Sequence, residues 1–241
     1  MRKEIDMDAF FDKYADFYGS VKPGSYDYYF IEFIKKTKKE GKKLVDIGGG
    51  SGAFARLLKH ECPDVDVTVV DPSKTLLSKI NEENIRKVYG KLPNQIPLNS
   101  TFDYVHVKEV FHHVTGSSIQ QSKELIGESL CTIKEILKDG GFLLIHELFY
   151  ESYLVPTLSR NLIFVLLALQ NKSRIKIPAK EFLMGLSVCF YTRAEFSSIL
   201  KKSGFEVVDY YQEFWGNTFK KRLLLLKNWG RMLFICKKVL C

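Results

Sequence analysis

The chain is 241 residues long, 46% hydrophobic and 27% charged, a balance that suits one α/β-sized domain and excludes a disordered or fibrous chain. Its formal charge of +8 is uneven: Glu151–Cys241 holds 15 Lys and Arg against 6 Asp and Glu, and residues 1–150 hold 21 against 22. An anionic partner (nucleic acid or a lipid surface) and a plainly solvated Lys-rich face both fit that asymmetry.

Asp8–Tyr18 and Tyr26–Lys38 place apolar side chains on helical faces and are separated by the turn pair Pro23–Gly24; residues 1–40 read as an N-terminal helical cap. Lys43–Ile47 is a short strand running into glycines. Ser51–Glu61 reads as a helix stopped before Pro63, and Val65–Val70 as a β-branched strand closing on Asp71–Pro72. Lys74–Asn81 reads as a helix, and Ile85–Tyr89 and Phe102–Val107 as strands. Ile119–Leu137 repeats apolar residues at helical spacing, with Gly140 and Gly141 expected as its C-cap, and Phe142–Ile145 is the next strand. The rhythm then changes. Tyr153–Leu169 reads as a long apolar helix interrupted at Pro156, and residues 151–190 as a helical insertion. Thr192–Ser203 opens on the capping box Thr192/Glu195, and Phe205–Tyr211 and Met232–Val239 close the chain as strands. This alternation predicts one Rossmann-like α/β domain over residues 1–241, a mostly parallel sheet with helices on both faces.

No run approaches the roughly 18 uncharged apolar residues of a membrane span; Asn161–Leu169 comes nearest. The mixed charges of Met1–Phe11 do not make a secretory leader, and Cys241 stands at the last position, where a prenylation box needs its Cys four from the end. The five cysteines are scattered, with no C-x-x-C pair and no His at zinc spacing, so the expectation is a cytoplasmic protein with reduced thiols and no metal.

The segment Val45-Asp46-Ile47-Gly48-Gly49-Gly50-Ser51-Gly52 ends a strand and opens a helix. Glycines at 48, 50 and 52 tolerate positive φ and let a ligand approach the backbone, and the amides at the helix start face that ligand. Asp71, at the end of the second strand, is placed to accept hydrogen bonds from both ribose hydroxyls of an adenosine. The same residues satisfy a dinucleotide fingerprint, Gly48-x-Gly50-x-x-Ala53 with Asp71. Asp46 before the glycines, the helical residues preceding the first strand, and the two closing strands around a helix favour another reading.

With these pieces in order, the chain resembles the class I S-adenosylmethionine-dependent methyltransferases. Phe11-Asp12-x-x-Ala15-x-x-Tyr18 is similar to the family's N-terminal helix, Asp46–Gly52 to its first motif and Asp71 to its ribose acid. Phe102–Val105 with Val110–His113 is similar to its fourth strand and turn, Leu137–Ile145 to the fifth, and Tyr191–Phe205 to the closing helix and strand. The resemblance implies a seven-stranded sheet with an antiparallel last strand and S-adenosylmethionine as cofactor. It also implies a cofactor site of Asp46, Gly48, Gly50, Ser51, Gly52, Asp71, Pro72, Gly90, Lys91, Leu92 and Lys108. One departure stands out: the family's acid after the third strand is missing from Tyr89–Gln95. Adenine is then left to the backbone at Lys91–Leu92, or to the amides of Asn94 or Gln95.

Methyl transfer needs a general base only when the acceptor must lose a proton. His112 and His113, after the fourth strand, are the candidates, with a purely structural role as the alternative. Tyr18, His146 and Tyr191 are candidate acceptor-site residues. The sequence lacks an Asn-Pro-Pro-Tyr or Asp-Pro-Pro-Tyr run and a Pro-Cys pair, which disfavours two routes to base methylation. The greasy stretch Tyr153–Leu169 favours a small hydrophobic acceptor such as a quinone precursor, a lipid or a phenol; the likeness to quinone-biosynthesis C-methyltransferases is a general one. Alternatives are an RNA or protein methyltransferase using the basic last third, or a non-catalytic cofactor-binding subunit. The mixed aromatic and basic residues of Phe214–Arg231 suit either peripheral contact with a membrane or a packed β-hairpin. The oligomeric state is not legible.

Overall fold

Runs of Val, Ile and Leu flanked by glycines or acids pair into one sheet in the computed structural model, which describes residues 7–20, 22–37, 41–173, 186–216 and 225–239. The strands are β1 (Lys43–Ile47), β2 (Asp66–Asp71), β3 (Ile85–Tyr89), β4 (Phe102–Lys108), β5 (Leu137–Ser152), β6 (Phe205–Phe214) and β7 (Leu226–Lys238). Among the described residues they lie in the order β3-β2-β1-β4-β5-β7-β6. The first five run parallel, and β7 is antiparallel to both β5 and β6. β1, β2 and β4 are buried on both faces, which is why they read as near-continuous apolar runs, whereas β3 lies at the edge with Arg86, Lys87 and Tyr89 exposed.

The helices are α1 (Met7–Lys13), α2 (Ala15–Gly19), α3 (Ser25–Thr37), α4 (Ala53–Glu61), α5 (Lys74–Ser78), α6 (Ile119–Ile136), α7 (Leu158–Ser173) and α8 (Arg193–Lys202). One face of the sheet packs Val45, Val105, Leu143 and Phe234 against Ile126, Leu130 and Ile133 of α6 and Phe196 of α8. The other packs Leu44, Val67, Tyr104 and Ile235 against Phe30 and Ile34 of α3 and Phe54 and Leu58 of α4. A third apolar cluster lies apart from both: Phe10 of α1, Ile163 and Leu167 of α7, Phe190, and Tyr150 and Leu226 from the extended ends of β5 and β7.

Several local expectations are corrected. Gly140 and Gly141 do not cap α6. That helix ends at Ile136, and Leu137 turns extended (φ −90°, ψ 127°) to pair with Phe102 of β4. The glycines then form an irregularity inside β5, where Gly140 adopts φ +76° and a Cβ on Gly141 would stand 2.9 Å from the Asp103 carbonyl oxygen. Asp8–Tyr18 breaks at Tyr14 into α1 and α2, and α5 stops at Ser78. Pro156 does not interrupt a helix; it precedes α7, and Tyr153, Leu154 and Val155 before it are exposed. The capping box forms as read: Thr192 accepts from Glu195 N, and Glu195 accepts from Thr192 N. Phe214 and Gly230 pair across β6 and β7, so Phe214 and Leu226–Arg231 of the aromatic and basic segment are strand; Asn217–Leu224 lies outside the described residues.

Candidate active site

The chain leaves β1 through three residues with positive φ, Gly48 (+72°), Gly50 (+54°) and Gly52 (+80°). Gly48 N donates to the Val70 carbonyl at 2.7 Å, which ties the turn to β2. A side chain at Gly48 would collide with Val110 in the loop after β4, whereas a Cβ at Gly50 would meet only Leu76 Cδ1, at 3.8 Å. Backbone is therefore presented openly at Gly50 and closely packed at Gly48. Gly52, left-handed, is the N-cap of α4 and makes no side-chain cap, so the first amides of that helix are not satisfied by a capping side chain.

Asp71 ends β2 beneath this turn. Its Oδ2 accepts from Gly50 N and its Oδ1 from Ser73 N, each at 2.8 Å. Burial pushes its carboxyl up to about 6, against the opposing pull of those two bonds and with the help of the Asp46 and Asp12 charges. Each oxygen retains a lone pair for a further donor. Ser73 caps α5 and donates to Asp12 of α1 at 2.6 Å, and Thr75 N donates to the same oxygen at 3.1 Å. The N-terminal helices are thus latched to the acid's own loop, a contact between distant segments that no local pattern announced.

Asp46 is 1% exposed. Its Oδ1 accepts from His106 Nδ1 at 2.7 Å, and its Oδ2 is buried without a partner. Near β3, Gly90 N donates to the Asp71 carbonyl, and Lys91 exchanges both backbone hydrogen bonds with Gln95. The Lys91 amide offered for adenine is therefore already paired. A concavity of about 320 Å³ beside it is lined by Tyr89, Gly90, Asn94, Gln95, Ile96 and Pro97, which leaves the two side-chain amides as the better placed groups. Pro72 is half-buried next to Asp71. Lys108 spends its charge on both oxygens of Asp27, at 3.0 and 2.9 Å, with its ammonium 4.8 Å from the Tyr26 ring centroid.

After β4 a single 3₁₀ turn, Phe111–His113, brings the two histidines under different control. His112 Nδ1 bonds Glu147 Oε2 of β5 at 2.8 Å, while Glu147 Oε1 accepts from Phe111 N at 2.7 Å. Burial alone would lower the His112 pKa, but the Glu147 carboxylate outweighs it and the net direction is up. Among the described residues His113 has no charged partner and its Nδ1 is unpaired, and burial beside His112 takes its pKa well below the usual range. The sequence singled out both histidines and the strand-end pair His146-Glu147, without pairing His112 to Glu147. That pairing needs β4 and β5 to be neighbours.

His146 is fully buried, its ring 4.4 Å from Tyr26 and its Nε2 3.6 Å from Glu109 Oε1. Burial, with Lys108 and Arg231 nearby, lowers its pKa strongly. Tyr18 packs edge-on to Phe11, 5.1 Å away, and Phe11 in turn lies 5.5 Å from the His113 ring. Tyr191 is buried beneath the Arg160 guanidinium and is bridged to Phe149 of β5. These side chains surround the carboxyl ends of the parallel strands, but they do not form one cluster. Glu109 is the missed residue here: φ +54° on a non-glycine marks it, and its carboxylate faces His146 and Arg231.

A 3-2-1-4-5-7-6 sheet with a glycine turn after β1 and an acid after β2 is the architecture of a class I methyltransferase. Residues 26–210 match the family model described as a methyltransferase domain, and the chain belongs to that family, the S-adenosylmethionine-dependent methyltransferases. Among curated relatives, it is 30% identical over 151 residues to a protein of Staphylococcus carnosus described as an uncharacterized methyltransferase, covering 59% of this chain and 68% of that one. A 3-O-methylredipecamine 2-O-methyltransferase of Carapichea ipecacuanha is 26% identical over 107 residues, 42% of this chain and 29% of that one. Of solved structures, phosphoethanolamine N-methyltransferase 2 of Haemonchus contortus, in complex with phosphomonomethylethanolamine and S-adenosylhomocysteine, superposes with a TM-score of 0.65 at 15% identity over 99% of this chain and 61% of that one. YcgJ of Bacillus subtilis superposes with a TM-score of 0.58 at 14% identity, covering 89% of this chain and all of the other. The chain thus spans less than two thirds of the length of the Carapichea and Haemonchus enzymes.

The residues present fit the donor. An unpartnered buried carboxylate oxygen on Asp46 suits a cationic group, since burying a charge without a partner is otherwise costly. Asp71 suits the ribose hydroxyls, and the open backbone at Gly50 leaves room for the chain between them.

Proposed function

We propose that this protein methylates a small hydrophobic acceptor through a hydroxyl group, with His112 as general base and Glu147 holding it. The observation that carries this reading is the buried His112–Glu147 pair after β4, beside the third apolar cluster. A carboxylate can only accept, so His112 Nδ1 holds the proton and Nε2 is the free acceptor. His112 keeps 6% exposure, enough for one ring edge to meet a ligand. The acceptor hydroxyl would give its proton to Nε2, and Glu147 would stabilise the imidazolium. S-adenosylmethionine supplies the activated methyl group. Asp71 and Asp46 would hold it, the open backbone at Gly50 would leave room for its chain, and the rings of Phe10, Tyr150 and Phe190 would exclude water from the transfer.

Two further facts support a small acceptor over nucleic acid or protein. Lys238 packs on Asp139 and the Leu137 carbonyl, so the basic residues of late β7 lie at the end of the sheet opposite the glycine turn. Nearer the site, Arg160 is paired to Glu195, and Arg231 stacks on Tyr26 and Trp215. Lys220, Lys221 and Arg222 lie outside the described residues. No described helix is long and apolar enough to cross a membrane; the exposed Tyr153, Leu154 and Val155 support at most peripheral contact with a lipid surface. The test is an acceptor screen with radiolabelled S-adenosylmethionine, setting phenols and hydroquinones against amines, RNA and protein. Labelling of phenols by the wild type and not by His112→Ala is the expected result. Labelling of RNA or protein, or equal phenol labelling by the variant, overturns the proposal.

A further inference from the structure

Between β5 and α7 the chain sets three large apolar side chains in water, Tyr153, Leu154 and Val155, with Leu154 76% exposed. The loop that carries them is fixed at three points. Ser152 N donates to the Pro156 carbonyl at 3.1 Å, Tyr153 N to the Leu225 carbonyl at 3.2 Å, and Leu158 N to the Val155 carbonyl at 2.8 Å. Their exposure is therefore built into the backbone. The helix that follows extends the same character: α7 buries Ile163, Phe164 and Leu167, whereas Leu162 and Val165 look outward, the latter 51% exposed. A surface helix ordinarily turns charged residues to water, yet residues 161–171 contain none. Leu225, tied to Tyr153, is exposed as well. Single apolar residues on a surface need no explanation; a ridge of them over a turn, a helix face and the entry to β7 does.

The charge next to this ridge has one sign. No Asp or Glu occurs from Ser152 to Lys180, nor from Asn217 to Lys227. Besides Arg160, which is paired to Glu195, residues 170–180 hold four Lys or Arg and residues 217–227 hold four more, eight of the 15 that follow residue 150. Three residues of chain span at most about 11 Å, so the α-carbons of Lys172 and Arg222 lie within that distance of those of Leu169 and Leu225. Fixed apolar side chains beside cations, with no anion among them, match an anionic bilayer: acyl chains take up the ridge and phosphate head groups meet the cations. RNA would use the cations and leave the ridge in water, and a second copy of this chain would bring like charge against like. We propose that this ridge docks the protein on the surface of an anionic lipid bilayer. The inner face of the same helix, Ile163 and Leu167, belongs to the third apolar cluster, which sets that cluster one helix diameter, about 10 Å, from the lipid. The docking needs no turnover and stands apart from the acceptor chemistry proposed above.

Flotation with vesicles tests this, using phosphatidylcholine alone and phosphatidylcholine mixed with phosphatidylserine. The wild type is expected to float with the mixed vesicles and to be released by added salt. Leu154→Asp combined with Val165→Asp, both at exposed positions, is expected to weaken that binding about tenfold or more, because each sets a carboxylate against an anionic, apolar surface. Val208→Asp adds the same charge at an exposed position near the end of β6 that pairs with late β7, and is expected to stay within about twofold of wild type. Replacing Lys220, Lys221 and Arg222 with Gln is expected to remove the preference for phosphatidylserine. Equal weakening by Val208→Asp would mean that net charge alone matters. No binding of the wild type to either vesicle, or a dimer in light scattering that the Leu154/Val165 pair abolishes, would take the ridge away from the bilayer; any of these three overturns the proposal. Phenol methylation by a protein that ignores vesicles would overturn the docking and leave the acceptor reading standing.

Discussion

Asp71 offers the sharpest quantitative test, because one substitution has opposite effects on the fold and on the ligand. Burial raises its carboxyl from 3.8 to about 6. A folded pKa above the unfolded one stabilises the protein fully below pH 3.8, and the contribution is lost as pH rises through about 6. The shift of roughly two units corresponds to about 3 kcal/mol lost in the ligand-free protein by neutral pH. Asp71→Asn removes that titration, and it also disrupts one of the two bonds from Gly50 N and Ser73 N, at about 1–2 kcal/mol. The expected result is a variant of equal or slightly higher stability than wild type at pH 7.5. Integrated over the titration, the difference between the two shifts by about 2 kcal/mol toward wild type at pH 4.5. At this chain length that is about 4–8 °C in Tm, measurable by thermal denaturation of both proteins across the range. With the proposed assignment of Asp71 to the ribose, ligand binding needs the carboxylate, so S-adenosylhomocysteine should bind wild type about tenfold more weakly at pH 5 than at pH 7.5, with Asp71→Asn weak and flat throughout. A stability difference that does not move with pH, together with a flat wild-type affinity, would refute the argument.

Glu147→Gln should lower kcat while sparing the KM for S-adenosylmethionine, and should shift the acidic limb of the rate profile to lower pH. In the proposed mechanism activity requires neutral His112, whose raised pKa depends on the Glu147 charge; stopped-time assays from pH 5 to 9 show the limb, and an unmoved limb excludes His112 as the base. Gly48→Ala imposes both a left-handed φ and a clash with Val110, so a loss of about 2 kcal/mol or more is expected in urea titrations. Adding Val110→Ala should return only part of it, because the φ penalty remains; full recovery would show that the clash alone mattered. Arg160, 5% exposed and paired to Glu195, should cost about 1–3 kcal/mol when changed to Met, less than the breaking of an isolated buried pair because Lys123 also bonds Glu195 at 2.7 Å. A neutral result in the same titration would count against that pair as a tie between α7 and α8.

Local pattern carried the regular parts of this protein. β-Branched runs ended by Gly48 and Asp71 set β1 and β2, the capping box set the start of α8, and the order of these pieces set the family and the donor. These signals are contained within a few consecutive residues, where backbone propensity and turn chemistry act. The sequence could not foresee that Leu137 would leave α6 to join the β4 ladder, making Gly140 a strand irregularity in place of a helix cap, because a long-range pairing overrode a local preference. It also could not pair the acids with their partners. Asp46 with His106, His112 with Glu147, and Asp12 with Ser73 lie 35 to 61 residues apart. Each pair exists only because the strand order sets β1 beside β4 and β4 beside β5, and folds α1 back over α5. Residue type decided which groups could hold charge and protons; the topology decided which of them meet in a buried setting, where an unpaired oxygen or a raised pKa acquires chemical force.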